Sequence, residues 1–370
     1  MKYSIGDTLY VKGRIGWKGL KKTEYLKHGT YRIINGSNIL DSKVSWDKCG
    51  YISKERYEES PEIQLRKDDI LVTKDGTIGK TAMVGELSKP TSIASGLFLL
   101  RNTLPEKWNT RYLFYFLQSK SFSSFIKSRR EGSVIPHLYQ KDFEQLELPD
   151  ISKEEQNRIV YILDTLTDKI ENNNDINDNL VQLMLQIFEK DLKNNKDIFS
   201  INKINDLDLT ISDHVANGSF KSLKKNVHYF DQKNYSLFLR NIDLKKQLEN
   251  KLKYIDKTSY EFLSKSHLFG GEVAISNVAD VGTVHRIPKI QQRMVLGNNQ
   301  IFIKSNSQYL TDYLYVYFTS KYGQHNIESI TSGSAQQKFN KTDFRSLRIP
   351  IPQKNWTKKK KCFTVFTTKR

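Results

Sequence analysis

Residues 112–149 return, altered but in register, as residues 313–350. Tyr112-Leu113 and Ser119-Lys120 reappear as Tyr313-Leu314 and Ser320-Lys321, a shift of 201 positions. The same shift carries Gly132-Ser133 onto Gly333-Ser334, Asp142-Phe143 onto Asp343-Phe344, Leu146 onto Leu347 and Pro149 onto Pro350. That gives 12 identities in 38 positions without a gap. Upstream, a shift of 203 pairs Asp69-Ile70-Leu71-Val72-Thr73 with Glu272-Val273-Ala274-Ile275-Ser276, Ile78-Gly79 with Val281-Gly282, and Asn38-Ile39 with Asn241-Ile242. A register held over this span makes the chain two related domains, which its 370 residues accommodate. Short strand-like runs between Gly and Asp turns, followed by an aromatic helix at Trp108 to Ser119 and again at Tyr309 to Ser320, give each copy a mixed character. The expected class is α+β. Tyr112, Phe114, Tyr115 and Phe116, with their counterparts Tyr313, Tyr315, Tyr317 and Phe318, have helical spacing and read as core rather than as a base-stacking platform.

Between the copies lies a segment of another kind. From Ile159, steps of four and three land on Leu163, Leu166, Ile170, Asn173, Asn177, Leu180, Met184 and Ile187, a 3.5-residue repeat of coiled-coil type. Ser152 followed by Glu155 suits a capping box at the start. A helix from about 153 to 191 would be roughly 57 Å long and would need a partner helix to cover its seam. Asn173 and Asn177 interrupt the seam, as residues that fix register and partner do. An ordinary amphipathic helix on a globular domain is the alternative. Charge follows the same division: residues 1–152 carry 25 basic and 18 acidic side chains, 153–200 carry 6 and 10, 201–352 carry 21 and 13, and 353–370 carry 7 and none. The expected domains are 1–152, a spacer helix at 153–195, 196–352, and an atypical basic tail at 353–370.

The composition, 38% hydrophobic and 11% aromatic, excludes global disorder, and the net +18 points to a polyanion. Cys49 and Cys362 form neither a disulfide framework nor a four-ligand zinc site. Met1 to Asp7 lacks the apolar core of a signal peptide and no run reaches the ~18 apolar residues of a membrane span, so a cytoplasmic protein with no membrane partner is expected. Gly76-Thr77-Ile78-Gly79-Lys80-Thr81 ends like a phosphate-binding loop, but Lys74 stands where its first glycine belongs. The second copy, Gly282-Thr283-Val284, has no lysine after the glycine, so a strand-to-strand turn explains both. The chain has no adjacent prolines for a DNA-amine methyltransferase loop. Its seven histidines (28, 137, 214, 228, 267, 285 and 325) have no ligand spacing, and Asp68-Asp69 faces Gly271-Glu272 in the second copy. No catalytic residue, metal site or cofactor is expected.

Several strings, in order and on a duplicated frame, resemble the specificity subunits of type I restriction-modification systems. They are Gly13-Arg14-Ile15-Gly16-Trp17-Lys18-Gly19-Leu20, the run from Asp69 through Lys80, Gly132-Ser133-Val134-Ile135-Pro136-His137-Leu138, and Leu148-Pro149 ahead of Glu154-Glu155-Gln156. The resemblance covers residues 1 to about 352. It implies a protein without chemistry of its own, in which each target-recognition domain reads one half of a bipartite site in double-stranded DNA. Paired helices then act as spacer and as dock for methyltransferase subunits, and a restriction translocase subunit joins the assembly.

Candidate DNA contacts in the first copy are Lys12, Arg14, Trp17, Lys18, Lys21 and Lys22, with Lys27 and His28 in the same basic loop, and Ser133, His137 and Tyr139. In the second copy they are Ser219, Lys221, Lys224 and Lys225 within Asn217 to Lys225, and Ser334, Gln336, Gln337 and Lys338. Trp17 suits either a wedge or core packing, with core favoured. The family's second long helix is expected after Arg348-Ile349-Pro350-Ile351-Pro352, yet Gln353 to Arg370 holds no carboxylate and no apolar period. A change of reading frame near the lysine run is the expectation, with altered assembly or self-association through the exposed seam. The alternatives are a truncated, inactive or competing specificity subunit, an RNA-binding adaptor, and a one-chain restriction-methylation enzyme, whose methyltransferase motifs are absent.

Overall fold

A computed structural model describes residues 3–15, 19–129, 137–194, 196–334 and 336–352, apart from the side chains of Lys22 and Lys196. The tail from 353, and with it every expectation made for the tail, lies outside the described residues, as do Trp17, Lys18 and Ser133. The chain divides into two compact units, 1–171 and 172–370.

In the first unit the central sheet has the order β2 (Leu9–Gly13), β10 (Leu97–Asn102), β7 (Ile70–Thr73) and β8 (Thr81–Met83), all antiparallel. A second sheet, β6 (Gly50–Ile52), β3 (Tyr31–Ile34) and β9 (Thr91–Ile93), has one parallel pair, β3 with β9. A short hairpin of β4 (Ile39–Leu40) and β5 (Lys43–Val44) and a closing pair of β1 (Tyr3–Ser4) and β11 (Glu147–Leu148) complete the strands. The helices are α1 (Ile5–Thr8), α2 (Lys54–Glu58), α3 (Thr110–Phe116), α4 (Lys120–Arg129) and α5 (Gln140–Phe143).

The second unit repeats this plan. Its central sheet is β13 (Thr210–Asp213), β21 (Gln300–Lys304), β18 (Val273–Ser276) and β19 (Val284–Arg286). The companion sheet is β14 (Tyr229–Phe230), β16 (Lys253–Ile255), β15 (Ser236–Leu239), β20 (Met294–Leu296) and β17 (His267–Leu268), again with one parallel pair, β15 with β20. The closing pair is β12 (Phe199–Lys203) with β22 (Arg348–Pro352). Its helices are α7 (Phe220–Asn226), α8 (Asn241–Lys245), α9 (Lys257–Phe262), α10 (Gln308–Thr319), α11 (Lys321–Ser329) and α12 (Lys341–Ser346). The Ile5 N–H donates to the Leu146 carbonyl and the Ile204 N–H to that of Leu347, both at 2.9 Å, so each unit ties its start to its end at equivalent positions. The change of shift from 203 to 201 has a local cause. Nine residues separate Asn102 from Tyr112 but seven separate Ser305 from Tyr313, and the longer loop carries the buried Trp108.

The aromatic helices are core in both units, as their spacing indicated. Tyr112, Leu113, Phe114 and Phe116 pack with Val72 and Phe98, while Tyr313, Tyr315, Tyr317 and Phe318 pack with Ile275 and Ile303. Each such ring contributes about 1.5–3 kcal/mol on leaving water.

The long helix is α6 (Lys153–Asn194), 42 residues, and the Ser152 hydroxyl accepts the Glu155 N–H at 3.2 Å at its start. Its contacts with the two domain cores follow a line that only partly coincides with the seam read from the sequence. In the first unit Gln156 and Val160 are buried, with the Gln156 carboxamide bonded to the backbones of Asn109, Lys107 and Ile151. In the second, Met184 and Phe188 are buried, and Phe188 meets Tyr313 and Tyr317 edge-on. Of the seam residues only Met184 is fully buried. Ile159, Leu163, Asn177, Leu180 and Ile187 are half-buried, Asn173 is exposed, and Leu166 and Ile170 are 53% and 61% exposed. The reason is physical: each helix end is claimed by its own domain core through residues four apart, and the middle has no second helix to cover it among the described residues.

Candidate nucleic-acid interface

The run that looked like a phosphate loop is the turn joining β7 to β8. The Thr73 N–H donates to the Lys80 carbonyl and the Gly79 N–H to the Thr73 carbonyl, both at 2.9 Å, while the Lys80 N–H donates to the Thr73 hydroxyl. Those amides are consumed inside the turn and cannot cradle a phosphate. The turn from β18 to β19 repeats it, with Gly282 N–H to Ser276 at 3.0 Å and Ser276 N–H to Thr283 at 2.9 Å. Gly79 and Gly282 sit at φ of +87° and +86°, which favours glycine.

Against each turn lies the segment that precedes the last short helix. The Leu138 N–H donates to the Lys74 carbonyl at 2.9 Å, and the Phe339 N–H to that of Asn277 at 3.1 Å. In the first unit this brings His137 onto Asp75 through an imidazole–carboxylate contact, with the exposed ring of Tyr139 edge-on to the imidazole at 4.6 Å. The Gln140 carboxamide reaches the Val11 carbonyl at 3.0 Å and so fixes the segment to β2, where Lys12 is half-buried over the Tyr10 ring. In the second unit the Ala279 N–H donates to the Gln337 carbonyl at 3.0 Å, and the Lys341 ammonium meets Asp213 at the end of β13 at 2.8 Å. Ser334, Gln336, Gln337 and Lys338 are all exposed there. The turn's Asp280 is held by Lys245 and, at 2.9 Å, by Asn241. The hydrogen bond from Lys245 lowers its carboxyl below the ordinary range.

The basic segments divide. Arg14 is buried, its guanidinium bonded to the Ile93 carbonyl at 3.0 Å and to Ser92 and Ser60. It ties the residue after β2 to strand β9 and to Ser60 rather than facing solvent, which removes it from the candidate surface. Lys21, Lys27 and His28 are exposed, while the Lys22 side chain lies outside the described residues. In the second unit Ser219 caps α7 by accepting the Ser222 N–H, and Lys221, Lys224 and Lys225 are exposed along that helix. Phe220, absent from the sequence-derived candidates, is the most exposed large apolar side chain among the described residues, at 80%. Asp69 and Glu272 serve the fold: Asp69 is buried against Arg101 at 2.7 Å, and Glu272 accepts the N–H groups of Phe269 and Gly270. Among the described residues no cluster of three or more His, Cys, Asp or Glu could hold a metal, and no helix is long and apolar enough to cross a membrane.

The chain is thus a duplicated α+β module in which each copy carries differing polar loops on one frame and a long helix lies between the two copies in sequence. Residues 2–182 and 221–363 match the family described as type I restriction modification DNA specificity domain, and the chain belongs to that family. Two specificity subunits of Methanocaldococcus jannaschii are similar to it. The MjaIX subunit is 31% identical over 124 residues, 33% of this chain and 27% of that protein, and the MjaVIII subunit is 29% identical over 160 residues, 43% and 34%. The matched segment thus spans about a third or less of these relatives. The S subunit of a type I system from M. genitalium superposes with a TM-score of 0.48 at 16% identity, covering 99% of this chain and 93% of that one. The HsdS subunit from Thermoanaerobacter tengcongensis gives 0.34 at 14%, covering 99% and 88%.

Proposed function

We propose that the chain is the DNA-reading subunit of a type I restriction-modification complex, each domain recognising one half of a bipartite duplex site. The observation that carries this reading is the repeated frame itself. The same sheet, turn and returning loop occur twice, with different side chains at equivalent exposed places: His137 and Tyr139 in one copy, Gln336, Gln337 and Lys338 in the other. Arg, Lys, Gln and aromatic side chains read base edges and phosphates. Lys12, Lys21, His137 and Tyr139 would contact one half-site; Ser219, Lys221, Lys224, Lys225, Ser334, Gln336, Gln337 and Lys338 the other. The domains would be 1–152 and 196–352, with α6 as spacer and its exposed stripe as the dock for methyltransferase subunits or for a second copy. Methyl transfer, translocation and cleavage would belong to partner subunits.

The test is a gel shift of the full chain, with a methyltransferase subunit present, over random-sequence duplexes at several salt concentrations. The expected outcome is a retarded complex that survives salt on a small subset of duplexes while the remainder is released. Uniform loss across all duplexes would leave only non-specific polyanion binding and sink the reading.

A further inference from the structure

One element of the second unit is built unlike a solvated surface helix. Leu223 of α7 and Val227, which follows its last residue, are buried in a core with Phe238, Ile255, Leu263 and Val295. Phe220 stands one turn before Leu223 on the same helix, so it continues that apolar line, yet it is 80% exposed. Lys221, Lys224 and Lys225 surround that line and are exposed, and no carboxylate occurs between His214 and Phe230. The Ser219 cap and the buried Leu223 fix the helix, so the ring is held at the rim of a cationic surface. The first copy carries the same pattern at a shift of 203: Trp17-Lys18-Gly19-Leu20-Lys21-Lys22 against Phe220-Lys221-Ser222-Leu223-Lys224-Lys225. An aromatic, three lysines and one leucine return at fixed spacing, although the surrounding sequence has diverged.

We propose that Phe220 is an apolar wedge that enters the DNA stack at one base step of the half-site read by the second domain, while Lys221, Lys224 and Lys225 hold the flanking phosphates. This rests on the reading that the domain binds duplex DNA, and adds the side chain that distorts it. An apolar ring flanked by cations matches a polyanion whose interior is a stack of flat apolar faces, and phenylalanine is among the side chains that unstack base steps.

The experiment uses the full chain with a methyltransferase subunit and the duplexes it enriches from a random pool. 2-Aminopurine is placed at successive positions of an enriched duplex. Apart from any base that the methyltransferase subunit itself flips, binding is expected to raise its fluorescence at one further step. Phe220→Ala should abolish that rise and weaken binding about tenfold, with the salt slope unchanged because no charge is lost. Phe220→Trp should keep the rise, and the joint Lys221→Ala, Lys224→Ala, Lys225→Ala variant should lower the slope instead. Phe220→Ala binding as tightly as wild type, or wild type giving no such further step, would overturn the wedge while leaving the DNA-reading function standing. A wild-type chain that enriches no duplex would overturn both.

Discussion

The turn after β7 and its copy after β18 hold equivalent residues in the same left-handed conformation, φ +67° at Gly76 and +65° at Ala279. An L side chain there costs roughly 1–2 kcal/mol, and a Cβ on Gly76 would meet nothing within 4 Å, so strain is the whole effect. Gly76→Ala is expected to lower stability by about 1 kcal/mol, and Ala279→Gly to raise it by somewhat less because glycine gains entropy in the unfolded chain. Urea unfolding midpoints measure both, and shifts of the same sign would contradict the argument. Asp243 gives a pH-dependent counterpart. It is fully buried and takes hydrogen bonds from the Arg240 guanidinium at 2.6 and 2.9 Å and from Asn250 at 2.7 Å. Burial alone would raise its carboxyl, but those bonds outweigh it and hold it below the ordinary range. With the folded value depressed, the stability it gives is present at neutral pH and is lost as pH falls below the ordinary carboxylate value of about 4 toward the folded one. Asp243→Asn should cost about 3 kcal/mol at pH 7, shrinking in acid; a difference that does not change between pH 7 and pH 3 would refute the linkage. Residues of this kind also mark the limit of the sequence. Arg14 read as a loop cation because its partners, Ser60, Ser92 and Ile93, are 46 to 79 positions away. Phe220 was passed over because exposure is not a property of a residue type.

At the scale of elements, the repeat was legible to the level of single strands: β7 and β18, or α4 and α11, begin at the shift their sequences share. What the repeat could not supply was the divergent outer sheet, three strands in the first unit and five in the second. Helix α6 shows a different limit. Its 3.5-residue period was plain, but periodicity cannot say which of several apolar lines a domain core will take, and Val160 and Phe188 are taken alongside the seam's Met184. The stripe left over includes Leu166 and Ile170 together with Ile162, Ile176 and Leu183, all exposed. If this stripe serves association, Leu166→Ser with Ile170→Ser should leave the melting temperature of the chain nearly unchanged, since exposed substitutions usually stay within about 0.5 kcal/mol. The same pair should reduce co-purification with a methyltransferase subunit, or self-association in sedimentation, severalfold. A lower melting temperature with assembly intact would show that the stripe supports the chain's own fold instead.

For the whole molecule, the surplus of +18 matters less than its partition. Residues 1–152 and 201–352 are net +7 and +8, and the intervening 153–200 is net −4, so each head carries its own attraction for phosphates. Two heads with a common frame and different loops should act as separable readers. Duplexes enriched by the full chain should therefore contain two short fixed blocks with unconstrained bases between them. Gln336→Ala with Gln337→Ala, both exposed in the second unit, should relax one block and leave the other intact. Each lost base contact would weaken binding by about 1–3 kcal/mol at that block alone. Tyr139→Ala in the first unit should do the converse. Sequencing the enriched pools from the three proteins decides it: blocks that relax together, or a single continuous block, would mean that the duplicated frame reads DNA as one surface and not as two.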